Sequence, residues 1–158
     1  MTQPNPGQPS LHVLFLCTEN ACRSQMAEAW LRHLGGGAVR ASSAGVRPGT
    51  LNPMTVAAME EVGVSMEGHV SKGLEAVEDG DMTHVVTVCG EAEESCPVFP
   101  RHVERAHWPI PDPAELSREF PHLVNDGFRA IRDNIRDRVS MLLIELGVTP
   151  RSPGHGGR

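Results

Sequence analysis

Two sets of residues in this chain have the types and spacing to do chemistry. The first is Cys17-Thr18-Glu19-Asn20-Ala21-Cys22-Arg23-Ser24, where a thiol and a guanidinium stand six positions apart and a serine follows directly. The second is the pair Cys89 and Cys96 in VTVCGEAEESCPVFP. A loop as short as 17–23 can curl until its backbone N–H groups point inward, and a helix starting at its end adds a positive terminus. A tetrahedral oxyanion fits such a cradle, with the Cys17 sulfur beneath it and the Arg23 fork gripping two oxygens. The same field favours thiolate over thiol at Cys17, and only the thiolate attacks. Ser24 is placed to donate a hydrogen bond to that sulfur and also to cap the helix. The bland alternative is an inert buried cysteine beside a capping serine. A bare C-x5-R arises often by chance, so the surrounding elements decide.

Those elements alternate. Val13 to Leu16 is a continuous apolar run, the mark of a strand buried on both faces, and predicts a strand over Leu11–Leu16. Met26, Trp30 and Leu34 follow at helical spacing, predicting a helix over Ser24–Leu34 ended by Gly35-Gly36-Gly37. Met26 and Trp30 belong to the core on this pattern. Val39–Ala44 predicts a second strand that runs into the turn signal GVRPGT. Asn52-Pro53 then opens a helix to about Val62, with a cap followed by proline at the first helical position. A short helix is expected near Lys72–Val77, a strand at Thr83–Cys89, a Pro-rich loop, and a strand around Val103–Trp108. The last helix carries Phe120, Leu123 or Val124, Phe128, Ile131, Ile135, Val139, Leu142 and Leu146 as one stripe. Alternating strands and helices imply an α/β fold, a parallel sheet with helices on both faces. Ligands of such sheets bind beyond the C-terminal ends of the strands, which is where both Cys17 and Cys89 fall.

At 158 residues the chain is expected to form one domain, 11–147, between a polar, Pro-rich tail at 1–10 and a Pro/Gly-rich tail at 148–158. A net charge of −6 with scattered Lys and Arg argues against nucleic acid or an anionic membrane as partner. No apolar run approaches the roughly 20 residues of a membrane span. MTQPNPGQPS has neither the basic start nor the apolar core of a secretory signal, so a cytoplasmic location is expected. Cysteines kept reduced there suggest catalysis, redox chemistry or metal rather than structural disulfides.

CTENACRSQMAEAW resembles the phosphate-binding loop of the low-molecular-weight protein tyrosine phosphatases and of the arsenate reductases that share their fold. The resemblance implies three layers around a central four-stranded parallel sheet. It also implies that Thr18, Glu19, Asn20, Ala21, Cys22 and Arg23 hold an arsenate- or phosphate-like oxyanion. Glu19 and Ala21 stand where many relatives have Gly and Ser, and an acidic side chain there must turn outward or weaken the site.

Cys89 and Cys96 extend the likeness to the thiol-coupled, thioredoxin-type arsenate reductases, in which three cysteines hand on a disulfide. That likeness implies attack on arsenate by Cys17, with Asp112 of PIPDPAE as the acid. Cys89 would then attack the adduct, leaving a Cys17–Cys89 disulfide, and Cys96 would move the bridge to Cys89–Cys96 on a polar, mobile loop, GEAEES. Thioredoxin or a low-molecular-weight thiol would regenerate the enzyme, which is expected to work as a monomer with no tightly bound cofactor and no metal. Some of these reductases bind potassium beside the loop. Asn20, Glu28 and Ser43 match three of its ligands, while the fourth position is Lys72, whose ammonium could stand where the ion would.

Other readings stay open on the residues alone. A phosphatase working through a Cys17 phosphocysteine needs no second thiol, and here Asp112-Pro113 is followed by Ala114 where phosphatases usually have tyrosine, a residue absent from the whole chain. Phe99 and Trp108 could line a mouth, although core packing is the simpler role. Cys89 and Cys96 could hold As(III) or zinc in a regulator, with His102 or His107, but six intervening residues are many for a zinc knuckle. Asp112 could merely form a turn between prolines. Cys22 is expected to lie under the cradle, where it could also trap an oxidised Cys17. The eight histidines are dispersed, and none is assigned a catalytic role.

Overall fold

The computed structural model describes residues 10–77 and 81–151. The apolar run forms β1 (His12–Cys17), six residues buried on both faces. β2 (Arg40–Gly45), β3 (His84–Thr87) and β4 (Glu104–His107) complete a four-stranded sheet in the order β2-β1-β3-β4, parallel throughout. The first strand is therefore central. The chain leaves β1 to one side for β2 and returns on the other for β3, so a crevice opens at the end of β1. In register, Cys17 lies opposite Gly45, and Leu16 opposite Thr87.

Among the described residues five α-helices cover the sheet: α1 (Arg23–Gly35), α2 (Pro53–Glu60), α3 (Gly90–Ser95), α4 (Pro113–Glu119) and α5 (Val124–Glu145). α1 rests on α5, as do α2 and α4, while α3 sits against β1 and β3. Together with the sheet they make three layers. Met26 and Trp30 are buried as expected, and the Trp30 indole N–H donates to the Arg132 carbonyl at 3.1 Å, tying α1 to α5. Asn52 caps α2, accepting the Met54 N–H at 2.8 Å, with Pro53 in the first turn. Trp108 stacks obliquely on Phe15 at 5.6 Å, and Phe99 is half-buried against the core.

Four local expectations change. Phe120 does not begin the long helix. Pro121 lacks an N–H and holds Phe120 outside the helical region, so the chain forms α4, a 3-10 turn at Pro121–Leu123, and only then α5. Phe120 and Leu123 are consequently 43% and 45% exposed, and Leu143 joins Phe128, Ile131, Ile135, Val139 and Leu142 inside. The segment near Lys72–Val77 shrinks to a 3-10 turn at Leu74–Ala76. β3 ends at Thr87, two residues before Cys89. GEAEES is not a loop but α3 itself. Most of the expected tails, 1–9 and 152–158, lies outside the described residues; within them, Arg151 N–H donates to Leu34 O at 2.7 Å. Among the described residues no helix is long and apolar enough to cross a membrane.

Candidate active site

Residues 17–23 curl at the crevice because a neighbouring segment takes up their carbonyls. Cys17 O accepts from Val46 N, Thr18 O from Arg47 N, Glu19 O from Gly49 N and Ala21 O from Asn52 N, at 2.8 to 3.1 Å. Gln25 Nε2 takes Asn20 O. Carbonyls engaged on the outer side leave the peptide N–H groups free for the inner one. The Asn20 N–H points at Cys17 Sγ, 3.2 Å away. Asn20 itself is left-handed, with φ 54°, a conformation asparagine tolerates better than most residues.

Hydrogen-bond directions around the sulfur follow from the donors available. Asn20 Nδ2 donates to Ser24 Oγ at 2.8 Å, which frees the serine hydroxyl proton for Cys17 Sγ, also at 2.8 Å. Ser24 is thus spent on the sulfur and does not cap α1. Cys22 stands at the cap position and makes no side-chain cap bond either. Asn20 Oδ1 accepts from Gln25 Nε2 and from Lys72 N, so it braces the loop, as its amide could have suggested. Gln25 was not among the expected site residues; on the sequence it is one more polar position of a helix. Burial pushes the Cys22 thiol up to about 11, against the opposing pull of Thr55. That thiol packs beneath the cradle as a small apolar group.

Glu19 is exposed, yet it still lines the cavity beside the loop. Its side chain lies over Gly49, with Oε1 3.2 Å from where a Cβ there would stand. Close by, Arg47 pairs with Glu91 at the start of α3, and the hydrogen bonds between them, then their opposite charges, hold the Glu91 carboxyl low and the guanidinium high.

Arg23, largely buried, donates to Ile110 O at 2.9 Å and faces Asp112, with Nη2 3.7 Å from Oδ2. Asp112 does more than form a turn between prolines: it caps a helix and faces the guanidinium. Its Oδ1 caps α4 through the Ala114 N–H at 2.9 Å, and its Oδ2 remains directed at Arg23. Cys89 caps α3, with its sulfur accepting the Ala92 N–H at 3.3 Å, and lies 3.2 Å from the Thr18 hydroxyl. Cys17, Arg23, Cys89 and Asp112 all line one cavity of about 710 Å³. Phe99, Trp108 and Cys96 do not. Cys96 is half-buried at the far end of α3, where burial raises its thiol.

Beside the loop, Lys72 Nζ stands among Val70 O, Ser43 Oγ and Glu28 Oε1 at 3.4 to 3.6 Å. Arg32 takes the other Glu28 oxygen at 2.7 Å. This buried carboxylate already has two cationic partners. Among the described residues no three His, Cys, Asp or Glu side chains converge as metal ligands.

A curled loop beyond a central parallel strand, with cysteine at its start and arginine at its end lining one cavity, defines a class. Residues 12–150 match the low molecular weight phosphotyrosine protein phosphatase family, and the chain belongs to it. Within that family it is similar to the arsenate reductase of Bacillus subtilis (strain 168), 43% identical over 127 residues that cover 80% of this chain and 91% of that protein. A solved arsenate reductase in its oxidized state aligns over 85% of this chain and 98% of its own, with a TM-score of 0.73 and 29% identity. The thioredoxin-dependent arsenate reductase of Corynebacterium glutamicum aligns over 89% of this chain and 64% of its own, with a TM-score of 0.69 and 27% identity.

Proposed function

We propose that the chain reduces arsenate to arsenite through a relay from Cys17 to Cys89 to Cys96. The observation that carries this is the second thiol in the cavity. Cys89 touches Thr18 of the cradle and shares the cavity with Cys17, where a phosphomonoester hydrolase has no use for it. In the first step the Cys17 thiolate attacks arsenic, and one oxygen leaves as water with a proton from Asp112. Cys89 then attacks the Cys17 sulfur. The sulfur–arsenic bond breaks with its electron pair left on arsenic, giving arsenite and a Cys17–Cys89 disulfide. Cys96 attacks Cys89 and frees Cys17, and thioredoxin or a small thiol reduces the Cys89–Cys96 bridge. The thioredoxin dependence of the Corynebacterium relative supports the choice of reductant.

Reduced protein is mixed with arsenate, thioredoxin, thioredoxin reductase and NADPH, and NADPH loss is followed. Cys96→Ser should release about one equivalent of arsenite and stall, while Cys17→Ser should release none. Sustained turnover by Cys89→Ser, or brisk hydrolysis of aryl phosphate with Cys89 dispensable, would replace this reading with a phosphatase. Because Lys72 supplies the positive charge beside Glu28, activity and melting temperature should respond equally to potassium and sodium chloride. A rise specific to potassium would remove Lys72 from that role.

A further inference from the structure

At the end of β1 opposite Cys17, roughly 16 Å along the strand, a second set of reactive groups converges that arsenate chemistry does not use. His12 is 2% exposed. Its Nδ1 lies 3.0 Å from Asp81 Oδ1, and its Nε2 lies 2.7 Å from Ser42 Oγ. Hydrogen bonds from Arg40 and His12 hold the Asp81 carboxyl below its usual range, so it is ionised and can only accept. In the neutral ring Nδ1 must therefore carry the proton, which leaves Nε2 as the acceptor for the Ser42 hydroxyl. The ring is held at its backbone by a bond from His12 N to Thr83 Oγ1 at 2.9 Å.

A hydroxyl, a base with its lone pair on that hydroxyl, and a carboxylate that orients the base are the three parts of an activated serine nucleophile. They are recognised by geometry, not by position in a chain. Burying a histidine between two polar partners would by itself need no opening. Here Ser42 is half-buried and lines a cavity of about 250 Å³ together with Arg32 and Arg40. Both guanidinium side chains are 55% exposed at its rim, and each has more N–H groups than its carboxylate partner takes up.

We propose that Ser42, His12 and Asp81 form a second, hydrolytic site whose substrates are short carboxylic esters. Ser42 Oγ attacks the ester carbonyl carbon while its proton passes to His12 Nε2. The carbonyl electron pair moves to an oxyanion attracted to Arg40 and Arg32. Collapse breaks the bond to the alcohol oxygen, which leaves with the proton from His12. Water, deprotonated by the same nitrogen, then releases the acid and restores Ser42. No electrons are gained or lost, and only ester and water are consumed.

The full-length protein is treated with a fluorophosphonate probe and the labelled peptide is sequenced by mass spectrometry, which separates Ser42 from Ser43. Label is expected on Ser42, absent in Ser42→Ala and reduced roughly 100-fold or more in Asp81→Asn, which keeps the size of the side chain but loses its charge. The same variants should lose the corresponding part of p-nitrophenyl acetate hydrolysis. Arsenate reduction by Ser42→Ala should be unchanged, which shows the fold intact and keeps this test separate from that of the reductase. An unlabelled Ser42 in the wild type, or equal labelling in Asp81→Asn, would reduce the triad to a brace between β1 and β2.

Discussion

A Cβ at position 45 would stand 2.8 Å from Asn20 N, the Glu19 carbonyl carbon and Thr18 O, all three of them backbone atoms of the cradle. Backbone cannot swing aside as the tip of a side chain can, so the last residue of β2 must be glycine for the cradle to close against it. Gly45→Ala should displace the loop, cost about 1–3 kcal/mol of stability and lower arsenate turnover more than tenfold. Thermal melting and the NADPH-coupled assay read the two effects separately. A variant with normal turnover would show that the cradle is held elsewhere. Cysteine follows the same logic of surroundings over type. Cys17 and Cys22 are five residues apart, yet one sulfur receives two hydrogen-bond donors, while the other is pushed by burial to about 11 and stays a thiol near neutrality.

α3 is the element whose conformation the proposed relay must change. Cys89 and Cys96 cap its two ends, and seven residues at 1.5 Å each put their Cα atoms roughly 10 Å apart. A disulfide needs them within about 7 Å. The bridge can form only if the helix unwinds. Little opposes that: among its residues only Ala92 is buried, and its side-chain ties include Glu93 with Thr87 and with Arg105, and the pair of Arg47 with Glu91. Solvent-exposed ion pairs are screened by water and salt and contribute little. Oxidation to the Cys89–Cys96 disulfide should therefore abolish hydrogen-exchange protection across residues 90–95 and reduce helical ellipticity, while β1 stays protected. Retained protection in the oxidised protein would mean that the bridge does not form between these two sulfurs. The exposed polar face that invites a mobile-loop reading of GEAEES is real; what it hides is a short helix capped by a thiol and favoured by Glu91 and Glu93 at its positive end.

Across the whole molecule, α5 is clasped to the end of α2 by Arg129 and Arg132, both bound to Glu61. Hydrogen bonds from Arg129 and then Arg132 lower the Glu61 carboxyl from 4.5 to about 2. A carboxyl depressed in the folded state stabilises it at pH values above the unfolded range, and that contribution disappears as pH falls from about 4.5 toward 2. Wild type should melt higher than Glu61→Gln near neutrality, and the gap should close through that acid window. A gap independent of pH would assign the clasp to packing alone.

Local pattern determined much of this protein before any tertiary contact. The apolar run of β1, the cap and proline of α2, and the thiol–guanidinium spacing each act over a few residues, so strand, helix and cradle could all be read in order along the chain. Cys17, Arg23, Cys89 and Asp112 meet in one cavity because parallel strands place their ends together, a rule that strand order alone supplies. Tertiary structure decided what depends on distant backbone: that Gly45 must be bare, that Gln25 and Lys72 brace Asn20, and that Ser24 serves the sulfur instead of the helix. The meeting of His12, Ser42 and Asp81 belongs with these. They come from three separate stretches of the chain and are unremarkable in each, and only the side-by-side register of β1 and β2 brings imidazole to hydroxyl.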